Sequence, residues 1–391
     1  MKKEDVSGVI VYLLIMALAV LFGINVLQKH SSESDLGGLY FLFVFGAIAV
    51  GVIFNAILFE LAHRLGAKIG RYKVVSTNIL GLLFYKEEGK LKIKFSSYDG
   101  LTGETKIVPK EEDEKEPNPS PYLWFGTLFY IIEIAIVIFA FSFLNRDNMP
   151  IAAKNSAYFL LIVGAIGGMI LLYNILPLHL DATTDGYRLT MITNPTNKKA
   201  FNELLRVEYE ISQGNTDVEI KTFTEISNFT ADLNLNKVYV LLDKRQFKEA
   251  EELLDIILAG KDTISEKVYV RARAQKIYIN IYTKPIEEAR EFYNKEVSMM
   301  ERRDLSRDLS MTSIRTYLLI SGLLDRSRSE SMIAINNVSK AFYKTPKRRQ
   351  NTEIELFNEA IDIVDKAHPD WEIGQYKLKI ADSKNKDNKK K

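Results

Sequence analysis

The side chains best placed to do chemistry begin at Phe59-Glu60-Leu61-Ala62-His63, where a long apolar run gives way to Arg64, Lys68 and Arg71. The spacing is that of H-E-x-x-H without its first histidine. In the full pattern two imidazoles one helical turn apart hold zinc, and the glutamate takes a proton from the metal-bound water. Glu60 and His63 fit that chemistry, whereas Phe59 has no atom that can ligate a metal. A second polar phrase follows another apolar run: Asn174-Ile175-Leu176-Pro177, then His179, Asp181 and Asp185-Gly186. Broken helices are tolerated at membrane depth where they face protein or water. The alternative is an ordinary helix exit with Asp-rich turns. Glu133 is a third candidate, because an ionisable residue inside a membrane-length apolar helix is costly and marks function by default.

Four apolar stretches supply the elements that would carry these residues, at about 8–27, 39–61, 122–144 and 157–178. Each meets the roughly 20 residues needed to cross the hydrocarbon of a bilayer. The first, with Lys2 and Lys3 ahead of it, has the look of a signal peptide, but its apolar run continues past Ala17-Leu18-Ala19, so an uncleaved anchor is expected. Lys2 and Lys3, then Arg64, Lys68, Arg71 and Lys73, outnumber the basic residues of the opposite loops. By the positive-inside rule the chain is a multi-pass cell-membrane protein with both termini in the cytoplasm.

Between the second and third apolar stretches, residues 73–97 read as an interfacial β-hairpin. Lys90-Leu91-Lys92-Ile93-Lys94-Phe95 alternates with period two, and Gly89 lies in a charged turn. Residues 108–121 are acidic and proline-rich, the composition of a linker. Gly164, Gly167 and Gly168 offer the small surface that lets membrane helices approach closely. From residue 191 to 382 the chain reads as a soluble all-α domain, with a helix capped by Thr196 or Asn197, ending near Ser212 and stopped by Gly214. Ala250 and Ala289 sit in similar phrases 39 residues apart, which suggests helix pairs resembling tetratricopeptide repeats; a plain helical bundle is the alternative. Residues 383–391 form a lysine-rich tail expected to be disordered. The expected fold is therefore mainly α: a four-helix membrane domain with a hairpin over 1–190, followed by a helical-repeat-like cytosolic domain.

Taken together and in this order, the Phe59–His63 phrase, the hairpin and the Asn174-Ile175-Leu176-Pro177…Asp185-Gly186 phrase resemble the site-2 protease family of intramembrane zinc metalloproteases. The likeness is to a Gram-positive bacterial branch that carries a helical C-terminal domain. The resemblance implies that Glu60 matches the general base, that His63 and Asp185 match two zinc ligands, and that Asn174 matches the polar residue holding substrate or oxyanion. Phe59 stands at the position of the first ligand. Catalytic zinc takes three protein ligands and a water, so the resemblance implies a scaffold that has lost its metal chemistry and binds no cofactor. A compensated zinc centre of His63, His179 and Asp185 is the competing expectation, with Asp181 a rival for the carboxylate position. Glu60 and His63 hydrogen-bonded to each other at the helix end would be a purely structural outcome.

The function expected is that of a degenerate, protease-like membrane protein. It would bind a membrane-spanning or extended peptide or protein within the lipid bilayer and recruit a cytosolic protein through its helical domain. An active intramembrane metalloprotease and an accessory subunit of a peptide export or immunity system are the alternatives. A net charge of +2 and no basic–aromatic pattern argue against nucleic acid as a partner. The absence of cysteine excludes disulfides and thiolate metal sites.

Overall fold

A computed structural model of the chain describes residues 3–87, 89–98, 102–110, 115–178, 183–213, 215, 218–345 and 347–379. His179, Asp181, Gly214, residues 111–114 of the acidic stretch and the tail 383–391 lie outside the described residues. The chain is mainly helical and divides into two compact units, Met1–Leu205 and Arg206–Lys391.

The first unit contains four helical stretches long and apolar enough to cross a membrane: Gly8–Glu33, Gly37–Ile69, Pro119–Leu144 and Ile151–Ile175. The first comprises α1 (Lys3–Phe22), a π turn at Gly23–Leu27 and α2 (Gln28–Glu33). The others are centred on α3 (Tyr40–Ile69), α4 (Pro119–Leu144) and α5 (Ile151–Ile175), which pack on one another. Small residues set their separation. A Cβ on Gly164 of α5 would stand 2.9 Å from Val137 of α4, and one on Gly66 of α3 would run into the backbone at Pro121 and Tyr122. The expected role of Gly164 and Gly167 in close packing is met, while Gly168 has no such close neighbour. Large apolar side chains such as Phe41, Phe45, Ile136 and Phe139 point outward, an outer surface far more apolar than a water-facing helix carries.

Helix α3 does not stop where its apolar run stops. It continues through Arg64 and Lys68 to Ile69, and the chain turns at Gly70 and Arg71, the latter at φ 66°. The segment that follows is a four-stranded antiparallel sheet and not a lone hairpin. Strands β1 (Tyr72–Ile79), β2 (Leu82–Glu87), β3 (Lys90–Phe95) and β4 (Gly103–Pro109) lie in the order β3-β2-β1-β4. Leu80 and Gly81, both at positive φ, make the tight β1–β2 turn, and Asn78 Oδ1 accepts from the Gly81 N–H at 2.9 Å. Strand β4 takes residues 108 and 109 from the stretch read as linker. Its Thr105 pairs with Thr77 across to β1, on the side of the sheet that meets α3. Helix α4 takes residues 119–121 from the other end of that stretch, starting at Pro119 with Asn118 as its cap.

After α5 come the short α6 (Asp185–Met191) and α7 (Pro195–Ser212). The cap of α7 is Asn194, whose Oδ1 accepts from Thr196 N at 2.7 Å and Asn197 N at 3.3 Å; the residues expected as caps are its donors. The boundary between units falls inside α7, after Leu205.

The second unit is all helical from α8 (Asn228–Asp243) to α15 (Lys347–Ala367), apart from connecting turns. Between them lie α9 (Phe247–Ala259), α10 (Glu266–Thr283), α11 (Ile286–Glu296), α12 (Met299–Arg307), α13 (Met311–Leu319) and α14 (Arg328–Lys344). Helices α8 and α9 form an antiparallel pair, α9 leans on α10, α10 on α13, and α13 on both α14 and α15. Ala250 and Ala289 are fully buried at the contacts of α9 and α11 with their neighbours. One apolar core runs from Ala231 to Ile373.

Candidate functional site

Asn55, Phe59 and His63 follow one another at four-residue spacing, so they share a face of α3 that is turned toward α4 and α5. At the end of that face the His63 ring is buried, and its Nε2 lies 2.9 Å from Asp185 Oδ2. Asp185 is the first residue of α6, whose cap is Thr184: the hydroxyl accepts from Tyr187 N at 3.3 Å and donates to Leu176 O at 2.5 Å. That double use ties the start of α6 to the exit of α5 and sets the carboxylate under the imidazole. Asn174, in the last turn of α5, completes the clamp. Its Nδ2 donates to Asp185 Oδ2 at 2.7 Å, and its Oδ1 accepts from Asp185 N at 3.2 Å.

The two phrases separated by more than a hundred residues therefore meet, as the resemblance implies they should. Asp185 is buried, which by itself would raise its carboxyl; His63, Arg188 at 3.9 Å and Asn174 outweigh burial and hold it below the usual aspartate range. His63 Nδ1 lies 3.0 Å from Phe59 O, so both ring nitrogens face oxygen acceptors. A neutral imidazole donates through one nitrogen only. Satisfying both contacts takes a doubly protonated ring, an imidazolium held between a carbonyl and a carboxylate.

Glu60 does not bond to His63. Its Oε2 accepts from Thr105 Oγ1 at 2.6 Å and its Oε1 from Thr102 Oγ1 at 3.5 Å. The helix end is thus fastened to β4, and Tyr122 of α4 donates to the Thr105 carbonyl at 2.9 Å from the other side. The Glu60–His63 hydrogen bond offered as a structural alternative does not form, because β4, unrecognised in the sequence, and Thr102 just ahead of it supply hydroxyls at the level of Glu60.

Phe59, which the resemblance sets at the position of the first ligand, is a packed ring. Its centroid is 4.3 Å from that of His63, edge-on, and 5.6 Å from Tyr130, stacked. Gly126 of α4 makes room for it: a Cβ there would be 2.5 Å from Phe59 Cε2 and 3.3 Å from His63 Cε1.

The fit to zinc can be judged on these contacts. The metal needs three protein donors presenting lone pairs. Among the described residues, His63 and Asp185 are the two donors, they are bonded to each other, and the third direction holds Phe59. No group of three or more His, Cys, Asp or Glu side chains is arranged around a metal position among the described residues. The described residues do not fit the ion.

Glu133 stands apart from this cluster, buried further along α4. Thr102, Thr105 and Asn55 escaped the sequence reading. Asn55 was findable, since it lies on the four-residue ladder of Phe59 and His63; the threonines were not, because β4 carries no clear alternation. No family model, no curated protein and no solved structure matches the chain.

Proposed function

We propose that the protein is a multi-pass membrane protein, both termini cytoplasmic, that keeps a site-2-protease-like arrangement without zinc hydrolysis and binds a membrane-spanning or extended peptide. The observation that carries this reading is the His63–Asp185–Asn174 clamp beside the Phe59 ring. It joins the positions matched to metal ligands through a proton and engages the Asn174 amide on Asp185, and the described residues offer no three-ligand position for the ion. Membrane insertion is supported by the four membrane-length helices and their outward apolar side chains. Peptide binding is supported by β3, an outer strand of the sheet with Leu91, Ile93 and Phe95 exposed. Such an edge can accept an added strand through its backbone groups. Recruitment of a cytosolic protein by the helical unit is supported by its succession of packed helices, α8 on α9, α9 on α10 and α10 on α13, an arrangement that in repeat proteins presents extended surfaces to partners.

Zinc analysis of the full chain, purified from zinc-supplemented cells, tests the reading. We expect far less than one zinc per chain, unchanged by His63→Ala. Stoichiometric zinc lost in His63→Ala, with cleavage of a co-expressed membrane peptide that stops in Glu60→Gln, would overturn it in favour of an active centre that recruits His179. A photo-crosslinker at Ile93 should capture such a peptide if the β3 edge is its seat.

A further inference from the structure

Two helical turns from His63, a second polar cluster is left unused by the clamp. Glu133 lies near the middle of α4 on the face that carries Gly126 and Tyr130. It is 8% exposed, and neither carboxyl oxygen has a hydrogen-bond partner. Opposite it on α3, Asn55 is fully buried. Its Nδ2 donates to Gly51 O at 2.9 Å and to Val163 O at 3.0 Å, which fixes the amide plane, and its Oδ1 is also without a partner. The two side chains converge on Gly167 of α5. A Cβ at that glycine would stand 2.6 Å from Asn55 Oδ1 and 2.6 Å from Glu133 Oε2. Both groups therefore border one small space between three helices, kept open by the missing side chain.

With Glu133 ionised, that space would be lined by acceptors alone. A buried carboxylate with neither donor nor counter-charge is strongly disfavoured, and a buried amide oxygen without a donor adds to the penalty. The groups facing Glu133 offer no relief. From α3 there is Asn55; from α5, Gly167; from α4, the Tyr130 hydroxyl, which is committed to the Asn55 carbonyl at 3.0 Å. Glu60 and His63 are engaged with Thr105 and Asp185. A single small cation removes the charge and gives Asn55 Oδ1 a partner.

We propose that Glu133 and Asn55 form a buried cation site whose occupant is a proton, carried by Glu133 and donated to Asn55 Oδ1 across Gly167. The bond ties α3 to α4 midway along their contact and removes the charge from the bundle interior. This site stands on burial within α3, α4 and α5 and does not depend on the peptide-binding reading, so either can fail without the other.

Infrared spectroscopy of the full chain in lipid nanodiscs at pH 7 tests it. The wild type should show the carbonyl stretch of a protonated carboxylic acid, absent in Glu133→Gln. In Asn55→Leu the band should move to higher frequency as its hydrogen bond is lost. Glu133→Gln keeps a donor facing Asn55 and should melt close to the wild type, with no sodium dependence in either protein. Absence of a Glu133-dependent band, or a melting temperature that climbs with sodium in the wild type and not in Glu133→Gln, would overturn the proton assignment. Should Glu133→Gln fail to fold, the presence or absence of the Asn55→Leu shift decides.

Discussion

Two buried acid–base pairs, one in each unit, show how differently the same chemistry can be used. In the helical unit, Arg315 of α13 is fully buried, with Nε 3.1 Å from Glu353 Oε2 and Nη2 donating to Gln275 Oε1 at 2.5 Å. Its guanidinium lies 4.2 Å over the Tyr278 ring, and Thr312 donates to Glu353 at 2.9 Å. In the first unit, His63 faces Asp185 with Asn174 as the third member. Both pairs link helices distant in sequence, and both are buried. Burial and pairing alone therefore do not mark a functional site. The difference is that a guanidinium never sheds its charge, so Arg315 commits its unit to one permanent ion pair. An imidazole can release a proton, and Asp185 keeps other partners when it does.

The largest test of that contrast is removal of one partner. Glu353→Ala strands a buried guanidinium and should destabilise the helical unit by about 3–5 kcal/mol. Fluorescence of Trp371, which is buried in that unit, would read the loss in a Trp124→Phe background. His63→Ala should cost its unit less, about 1–3 kcal/mol, because Asp185 retains Asn174 and Arg188. Trp124 in a Trp371→Phe background provides the matching signal. A His63→Ala loss as large as that of Glu353→Ala would erase the distinction between the pairs.

The smallest effect is in pH. Asp185 is held low in the folded chain, so its contribution is present above the ordinary aspartate value of about 4 and fades only as the pH falls through its lower native value. Asp232, in α8, is pushed up to about 6 by burial and the nearby Glu208 carboxylate, against Arg271 and Arg349. A raised acid has the opposite sign: its contribution is complete at low pH and is lost as the pH rises through about 6. Acidification from about pH 7 to about pH 5 should thus strengthen the helical unit, an effect abolished in Asp232→Asn, while the Asp185 contribution stays level. A Trp371 transition that does not move over that interval would remove the Asp232 assignment.

The long apolar helices were legible because a run of twenty apolar residues is a signal carried by each residue separately. Their ends were less so: α3 passes through Arg64 and Lys68 because helical hydrogen bonds do not depend on side-chain polarity. The meeting of His63, Asn174 and Asp185 was readable only as the junction of two phrases. The sheet was read half correctly. Lys90–Phe95 alternates cleanly as an outer strand, whereas β4 has Gly103, Pro109 and mixed burial, and is a strand because β1 offers it a ladder. The Glu60–Thr105 bond inherited that blindness, since no local pattern predicts which hydroxyl a distant strand will deliver. Arg315 and Glu353 were invisible for a similar reason: in a densely charged helical sequence, nothing local singles out the one pair that folding buries.

The nesting of the Phe59 ring against Gly126 has a consequence for sequence change over time. Any larger residue at 126 collides with that ring, so it is admissible only after position 59 has shrunk. Histidine at 59 would in turn leave Tyr130 facing a smaller neighbour. The two positions are therefore coupled: growth at 126 demands a smaller side chain at 59, and shrinkage at 59 alone leaves a gap beside Tyr130.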